Sequence, residues 1–127
     1  MNYHITYDAD SACFLITTEG AFDIGAFERL AVDLLENPSW VPGTNCLFDY
    51  RETDFTSTAR TDLQTASRLH KNNKDLVGSG KSALVMTDGT NFGMGRMYQG
   101  MTEPGVATRF KVFTDIAAAK DWIAEAA

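Results

Sequence analysis

SALVMTDGTNFGMGRMYQGM, residues 82–101, frames the whole chain. Ser82 to Thr87 is a short apolar run, the pattern of a strand buried on both faces. Asp88-Gly89-Thr90-Asn91 follows with turn chemistry, because short Asp and Asn side chains bond their own backbone and glycine accepts unusual dihedrals. Phe92 to Met101 then reads as a helix. Strand, polar loop and helix in that order form the repeating half of a parallel α/β sheet.

The same unit recurs in both directions. Upstream, Asn45 to Tyr50 is an apolar strand, and the hydroxyl-rich stretch Thr53 to Thr58 starts a polar helix of about seventeen residues. Its apolar stripe is Ala59, Leu63, Ala66 and Leu69. Gly78-Ser79-Gly80 breaks the chain before the next strand. Downstream, Arg109 to Phe113 is a strand and Thr114-Asp115 caps a closing helix with Ile116, Ala119, Trp122, Ile123 and Ala126 on one face. Earlier still, Asp23 caps a helix whose Phe27, Leu30, Ala31, Leu34 and Leu35 share a face, stopped by Asn37-Pro38. The chain opens on a hairpin. Tyr3, Ile5 and Tyr7 alternate with His4 and Thr6, Asp8 to Ser11 turns, and Cys13 to Thr18 returns.

The order is β-β-α-β-α-β-α-β-α. It predicts a single α/β domain over residues 1–127, with a mostly parallel five-stranded sheet, one antiparallel strand and covering helices. The 127 residues are 44% hydrophobic and 22% charged, an ordinary globular balance. Net charge is −6, with 11 basic against 17 acidic residues, which argues against nucleic acid because a duplex binder must replace phosphate counterions. Residues 1–54 carry ten acids and two bases, whereas residues 55–127 carry seven acids and nine bases. That asymmetry suits a protein partner or a self-contact. Cys13 and Cys46 sit inside apolar runs, as buried reduced thiols do. No basic start precedes an apolar stretch, and no apolar run is long enough to span a membrane, so the cytoplasm is the expected compartment.

Three stretches carry a family likeness: Leu47-Phe48-Asp49-Tyr50 leading through Phe55 to Thr56-Ser57-Thr58; Phe92 to Tyr98; and Arg109 to Phe113 with the helix that ends Ala119-Lys120-Asp121-Trp122-Ile123. The chain resembles the STAS fold of anti-sigma-factor antagonists, and more closely the SpoIIAA-like branch of small bacterial proteins grouped as STAS/SEC14-like. The resemblance implies a regulatory or binding module. In STAS antagonists a Ser or Thr at the helix start after the third strand is phosphorylated, usually in an Asp-Ser-Gly-like context. The matching Thr56-Ser57-Thr58-Ala59 lacks that Asp and Gly, and Ser57 and Thr58 are the phosphosite candidates.

In parallel sheets, ligands gather outside the carboxyl ends of the strands. The contact residues expected there are Asp49, Arg51, Ser57, Thr58, Asn91 and Arg96, with Met94 and Met97 beside them. Phe92, Met94, Met97, Tyr98 and Met101 form a deformable apolar surface suited to core packing, a hydrophobic ligand or a self-interface in a homodimer. An anion resting near Arg96 is the weaker form of the same idea. Gly78-Ser79-Gly80-Lys81-Ser82 fails as a phosphate loop, since a glycine is missing at Asp75 and the motif enters a strand. The histidines, His4 in a hairpin strand and His70 at an exposed helix end, assemble no catalytic triad, and no zinc spacing is present. The expectation is therefore a non-enzymatic module binding a protein partner or a small hydrophobic or anionic ligand, with no cofactor or metal. The alternatives are a small hydrolase or phosphoryl-transfer enzyme using Asp49 and Asp88, and a phosphoregulated switch at Ser57 or Thr58.

Overall fold

The computed structural model describes residues 1–126. The chain runs β1 (Asn2–Asp8), β2 (Cys13–Ala21), α1 (Ile24–Leu35), β3 (Asn45–Asp54), α2 (Arg60–Asn72), α3 (Lys74–Val77), β4 (Lys81–Val85), α4 (Thr90–Thr102), β5 (Arg109–Phe113) and α5 (Ile116–Ala124). One 3-10 turn, Glu103–Gly105, follows α4. The sheet order is β1-β2-β3-β4-β5, with β1 antiparallel to β2 and every other neighbouring pair parallel.

Sequential order has a direct consequence. Right-handed crossovers that always step the same way lay their helices on the same face of the sheet. Accordingly α1 packs Leu30 and Leu34 on Phe14, Ile16 and Cys46, while Met94 and Tyr98 of α4 join Tyr50, Leu84, Phe110 and Val112. Helix α5 has no following strand and folds back over the other face, placing Ala119 and Ile123 on Cys13, Leu47, Ala83 and Val85. Cys13 and Cys46 therefore lie on opposite faces of the sheet, both buried and free. Burial pushes the Cys13 thiol up to about 11 and raises Cys46 as well.

Local chemistry sets the boundaries. Asp23 caps α1 by accepting the N–H groups of Gly25 and Ala26, both at 3.3 Å, and Asp115 caps α5 through Ala117 at 3.1 Å. Gly78 and Gly80 are required by close approach: a Cβ at Gly78 would stand 2.4 Å from the Gly43 nitrogen, and one at Gly80 would stand 2.5 Å from the Gly43 oxygen. Lys81 is buried, and its Nζ donates to the carbonyls of Trp122 at 2.8 Å and Glu125 at 2.7 Å. The lysine of the Gly-Lys-Ser run thus closes the end of α5.

Three sequence expectations are corrected. Strands β2 and β3 continue past Thr18 and Tyr50, because Glu19, Gly20 and Ala21 pair in register with Glu52, Thr53 and Asp54. The buried Thr18 and Thr53 hydroxyls bond each other beneath that extension. Hence Thr53 to Thr58 begins no helix; α2 starts at Arg60, and Ala59 is its exposed N-cap. The long polar helix also divides at Asn73, whose side chain donates to the Leu69 carbonyl at 2.8 Å and competes with helical backbone bonding. Finally, the closing helix ends at Ala124, so Ala126 lies beyond its apolar face.

Candidate functional site

An apolar cleft lies between the sheet and the layer formed by α1, α2 and α4. Its floor is Cys46, Phe48 and Tyr50 of β3 with Ser82 and Leu84 of β4. Phe27, Ala31 and Leu35 of α1 form one wall, joined by Trp40. Leu63, Ala66, Leu69 and His70 of α2 form the facing wall, and Met94 and Tyr98 of α4 close the far side. The cavity volume is about 110 Å³, of the order of the ~150 Å³ apolar cavity that admits benzene.

Phe48 shows that the cleft reaches solvent. It sits on the central strand and points toward the helical layer, where complete burial is expected, yet it is only half-buried. Phe27, Ala31, Leu35 and Leu69, which face across the gap, are half-buried too. Helices α1 and α2 pack against each other yet leave a cleft between themselves and the middle of the sheet. Aromatic rings dominate the walls: Phe48 stacks on Tyr50 at 5.9 Å between centroids, Phe22 on Phe55 at 5.2 Å, and Tyr50 meets Phe55 edge-on at 5.6 Å.

The lining holds no Lys, Arg, Asp or Glu. Its polar members belong to the floor and to the α2–α4 side. The Tyr50 and Tyr98 phenols are raised by burial, with the Thr102 hydroxyl pulling Tyr98 partly back. His70 is not the exposed helix-end residue expected from sequence. Its ring packs on Phe110 at 5.3 Å, Nε2 lies 3.0 Å from Thr108 Oγ1, and burial lowers its pKa to about 4. The imidazole is neutral at neutral pH.

The residues expected at the carboxyl rim fall into separate groups. Asp49 and Arg51 form a bidentate pair, with Arg51 Nε at 2.9 Å and Nη2 at 2.8 Å from the carboxylate oxygens. That pair holds the Asp49 carboxyl below its usual range. It stands on the α5 face beside the cap residue Asp115, which adds to the raised pKa of Arg51. Ser57 is exposed in the turn before α2, whereas the Thr58 hydroxyl is buried without a partner among the described residues. Asn91 donates to Thr87 Oγ1 at 2.8 Å. Arg96 and Met97 are exposed on α4, and only Met94 turns into the cleft. The physical reason is the strand order. A rim crevice forms where connections diverge at a switch point, and a sheet wound steadily in one direction has none. Asp88 is exposed and its carboxylate accepts the Gly89 N–H at 3.0 Å. No cluster of three or more His, Cys, Asp or Glu suited to a metal exists among the described residues.

The cleft itself was not legible as a site, although Met94 and Tyr98 were singled out as apolar and adaptable. Phe27, Leu30, Ala31, Leu34 and Leu35 read as core, which they are on one side.

Against solved structures, a crystal structure of an uncharacterized protein from the DUF3478 family, with a SpoIIAA-like fold, from Shewanella loihica PV-4 aligns with a TM-score of 0.60. The alignment covers 96% of this chain and 92% of that one, at 21% sequence identity. The fold is SpoIIAA-like. The resemblance read from the sequence therefore holds at the level of architecture, including the mostly parallel sheet and its one antiparallel strand. No family model matches the chain, and no curated protein matches it either. Among the described residues no helix of this SpoIIAA-like fold is long and apolar enough to cross a membrane.

Proposed function

We propose that this SpoIIAA-like protein is a non-enzymatic binding module that takes a small hydrophobic molecule into the cleft between α1, α2, α4 and the sheet. One observation carries the reading: Phe48, at the centre of the sheet beneath the helices, is reachable by solvent through an apolar opening. An apolar recess with a few convergent polar groups is the common form of a small-molecule site. Buried free thiols suit the reducing cytoplasm.

The alternatives draw less support. Asp49 is engaged on both carboxylate oxygens by Arg51 on the face away from the cleft, which leaves it poorly placed for acid–base work with Asp88. Ser57 is accessible but precedes the first residue of α2, Arg60, by three positions, so a phosphate on it would gain little from the helix end. The large exposed apolar residues are Val32 on α1, Val41 in the loop before β3, Leu76 on α3 and Met97 on α4, and only Val41 and Leu76 belong to neighbouring segments, a patch of two side chains.

Toluene is a suitable probe. Titrated into the protein labelled at its methyl groups, it is expected to shift the Leu30, Leu34, Leu63 and Met94 signals in a saturable manner. Signals that stay still at saturating toluene, or move only at Met97, would reject the cleft as the site.

A further inference from the structure

The polar atoms of the cleft specify what kind of molecule enters it, an inference that rests on the binding reading above. Thr108 Oγ1 donates its single hydrogen to the Gly78 carbonyl at 2.8 Å. The contact of 3.0 Å between that oxygen and His70 Nε2 must then have the imidazole as donor. The ring is thereby fixed with its proton on Nε2, which leaves Nδ1 an unprotonated acceptor with no partner among the described residues. On the cleft floor the Tyr50 hydroxyl likewise has no hydrogen-bond partner among the described residues, although the residue is only 7% exposed. Neither atom is sealed from open space, Thr58 Oγ1 being the fully buried unpartnered one among the described residues, and an unpartnered polar atom that remains accessible on a lining residue marks where a ligand or water completes the bonding.

Charge narrows the class further. With no ionised side chain in the lining, a charged ligand would lose its hydration and gain no counter-ion. Aromatic walls and a volume near that of one ring favour a flat molecule. We propose that the cleft binds an uncharged single-ring aromatic alcohol, whose hydroxyl donates to His70 Nδ1.

The experiment compares phenol, anisole and toluene by calorimetry on the wild-type protein and on His70→Phe and Tyr50→Phe. Phenol donates and accepts, anisole only accepts, and toluene does neither. The ratio of phenol to toluene affinity should fall about tenfold in His70→Phe, the usual worth of one such bond, with toluene itself little changed. Tyr50→Phe, four residues further along the cleft floor than the level at which His70 packs on Phe110, should leave the same ratio nearly unchanged. A ratio unaltered by His70→Phe, or phenol binding no better than anisole to the wild-type protein, overturns the donor assignment while leaving the hydrophobic cleft standing. Failure of all three to bind removes the cleft reading as well. Preferred binding of benzoate would overturn the requirement for an uncharged ligand. Nitrogen NMR of the wild-type imidazole needs no variant to fold. It should show the Nε2–H tautomer in the free protein and a shift of Nδ1 with phenol but not with toluene. A proton found on Nδ1 in the free protein refutes the proposal.

Discussion

Replacing Ala31 by leucine tests whether the space beneath α1 and α2 is empty. Ala31 lies on α1, lines the cleft and is half-buried. Leucine adds three carbons while keeping nearly the same helix propensity, so the change acts through packing alone. At ~0.8 kcal/mol per buried methylene the ceiling is about 2.4 kcal/mol, and half-exposure of the site reduces the gain to about 1 kcal/mol. For a chain of this size that raises Tm by about 3–5 °C. Were the helices already close-packed on the sheet, the same carbons would overfill the core at ~1–3 kcal/mol, and Tm would fall. The sign of the shift decides. Thermal unfolding followed by circular dichroism reads it directly, and a second signature comes from toluene. At ten times its dissociation constant toluene should stabilise the wild-type protein by about 1.4 kcal/mol, and Ala31→Leu should abolish most of that increment by filling the same space. A lowered Tm together with an undiminished toluene effect would refute the reasoning.

Two glycines on α4 should respond in opposite directions. A Cβ at Gly95 would lie 3.0 Å from Val112 Cγ1 and 3.1 Å from Met86 Cγ, whereas one at Gly93 meets nothing within 4 Å. Gly95→Ala should therefore lose about 1 kcal/mol net in chemical denaturation despite its better helix propensity, and Gly93→Ala should gain up to about 1 kcal/mol. His70 should make stability depend on pH. The unfolded chain takes up its proton below about 6.5 and the folded chain only below about 4, so between those values acid favours unfolding. The gap corresponds to about 3 kcal/mol at ~1.4 kcal/mol per pKa unit, lowered to about 2 kcal/mol by partial solvent access to the ring. Urea midpoints should drop from pH 7 to pH 4 in the wild-type protein and flatten in His70→Phe; parallel slopes would contradict the assignment. Both thiols should resist iodoacetamide at pH 8 in the native state and react after denaturation, as read by intact mass; rapid native labelling of Cys46 would show that the layer over β3 opens more than the structure indicates.

Much of the architecture was written in local chemistry. Asp23 and Asp115 announced two helix starts because a carboxylate before an apolar-periodic run has free N–H groups to accept. The β5 boundaries, Arg109 to Phe113, followed from an apolar alternation bounded by a loop and a cap. The extension of β2 and β3 did not show, since Glu19-Gly20-Ala21 and Arg51 to Asp54 are polar and become strand only by pairing with each other. The break at Asn73 hid inside an otherwise helical pattern. His70 was misplaced because its partner, Thr108, is 38 residues away in sequence.

The amino-acid sequence by itself determined the succession of strands and helices, the parallel winding that follows from it, and which faces are apolar. Tertiary structure alone decided that the strands line up in sequential order, that Asp49 and Met94 belong to opposite sides of the sheet, and that α1 and α2 leave a cleft over Phe48. The reason is that hydrophobicity records a side chain's aversion to water and nothing of what fills the space beside it. Leu35 or Phe48 has the same chemistry against a tight neighbour as against an open cleft, and only the spacing of the packed elements tells the two apart.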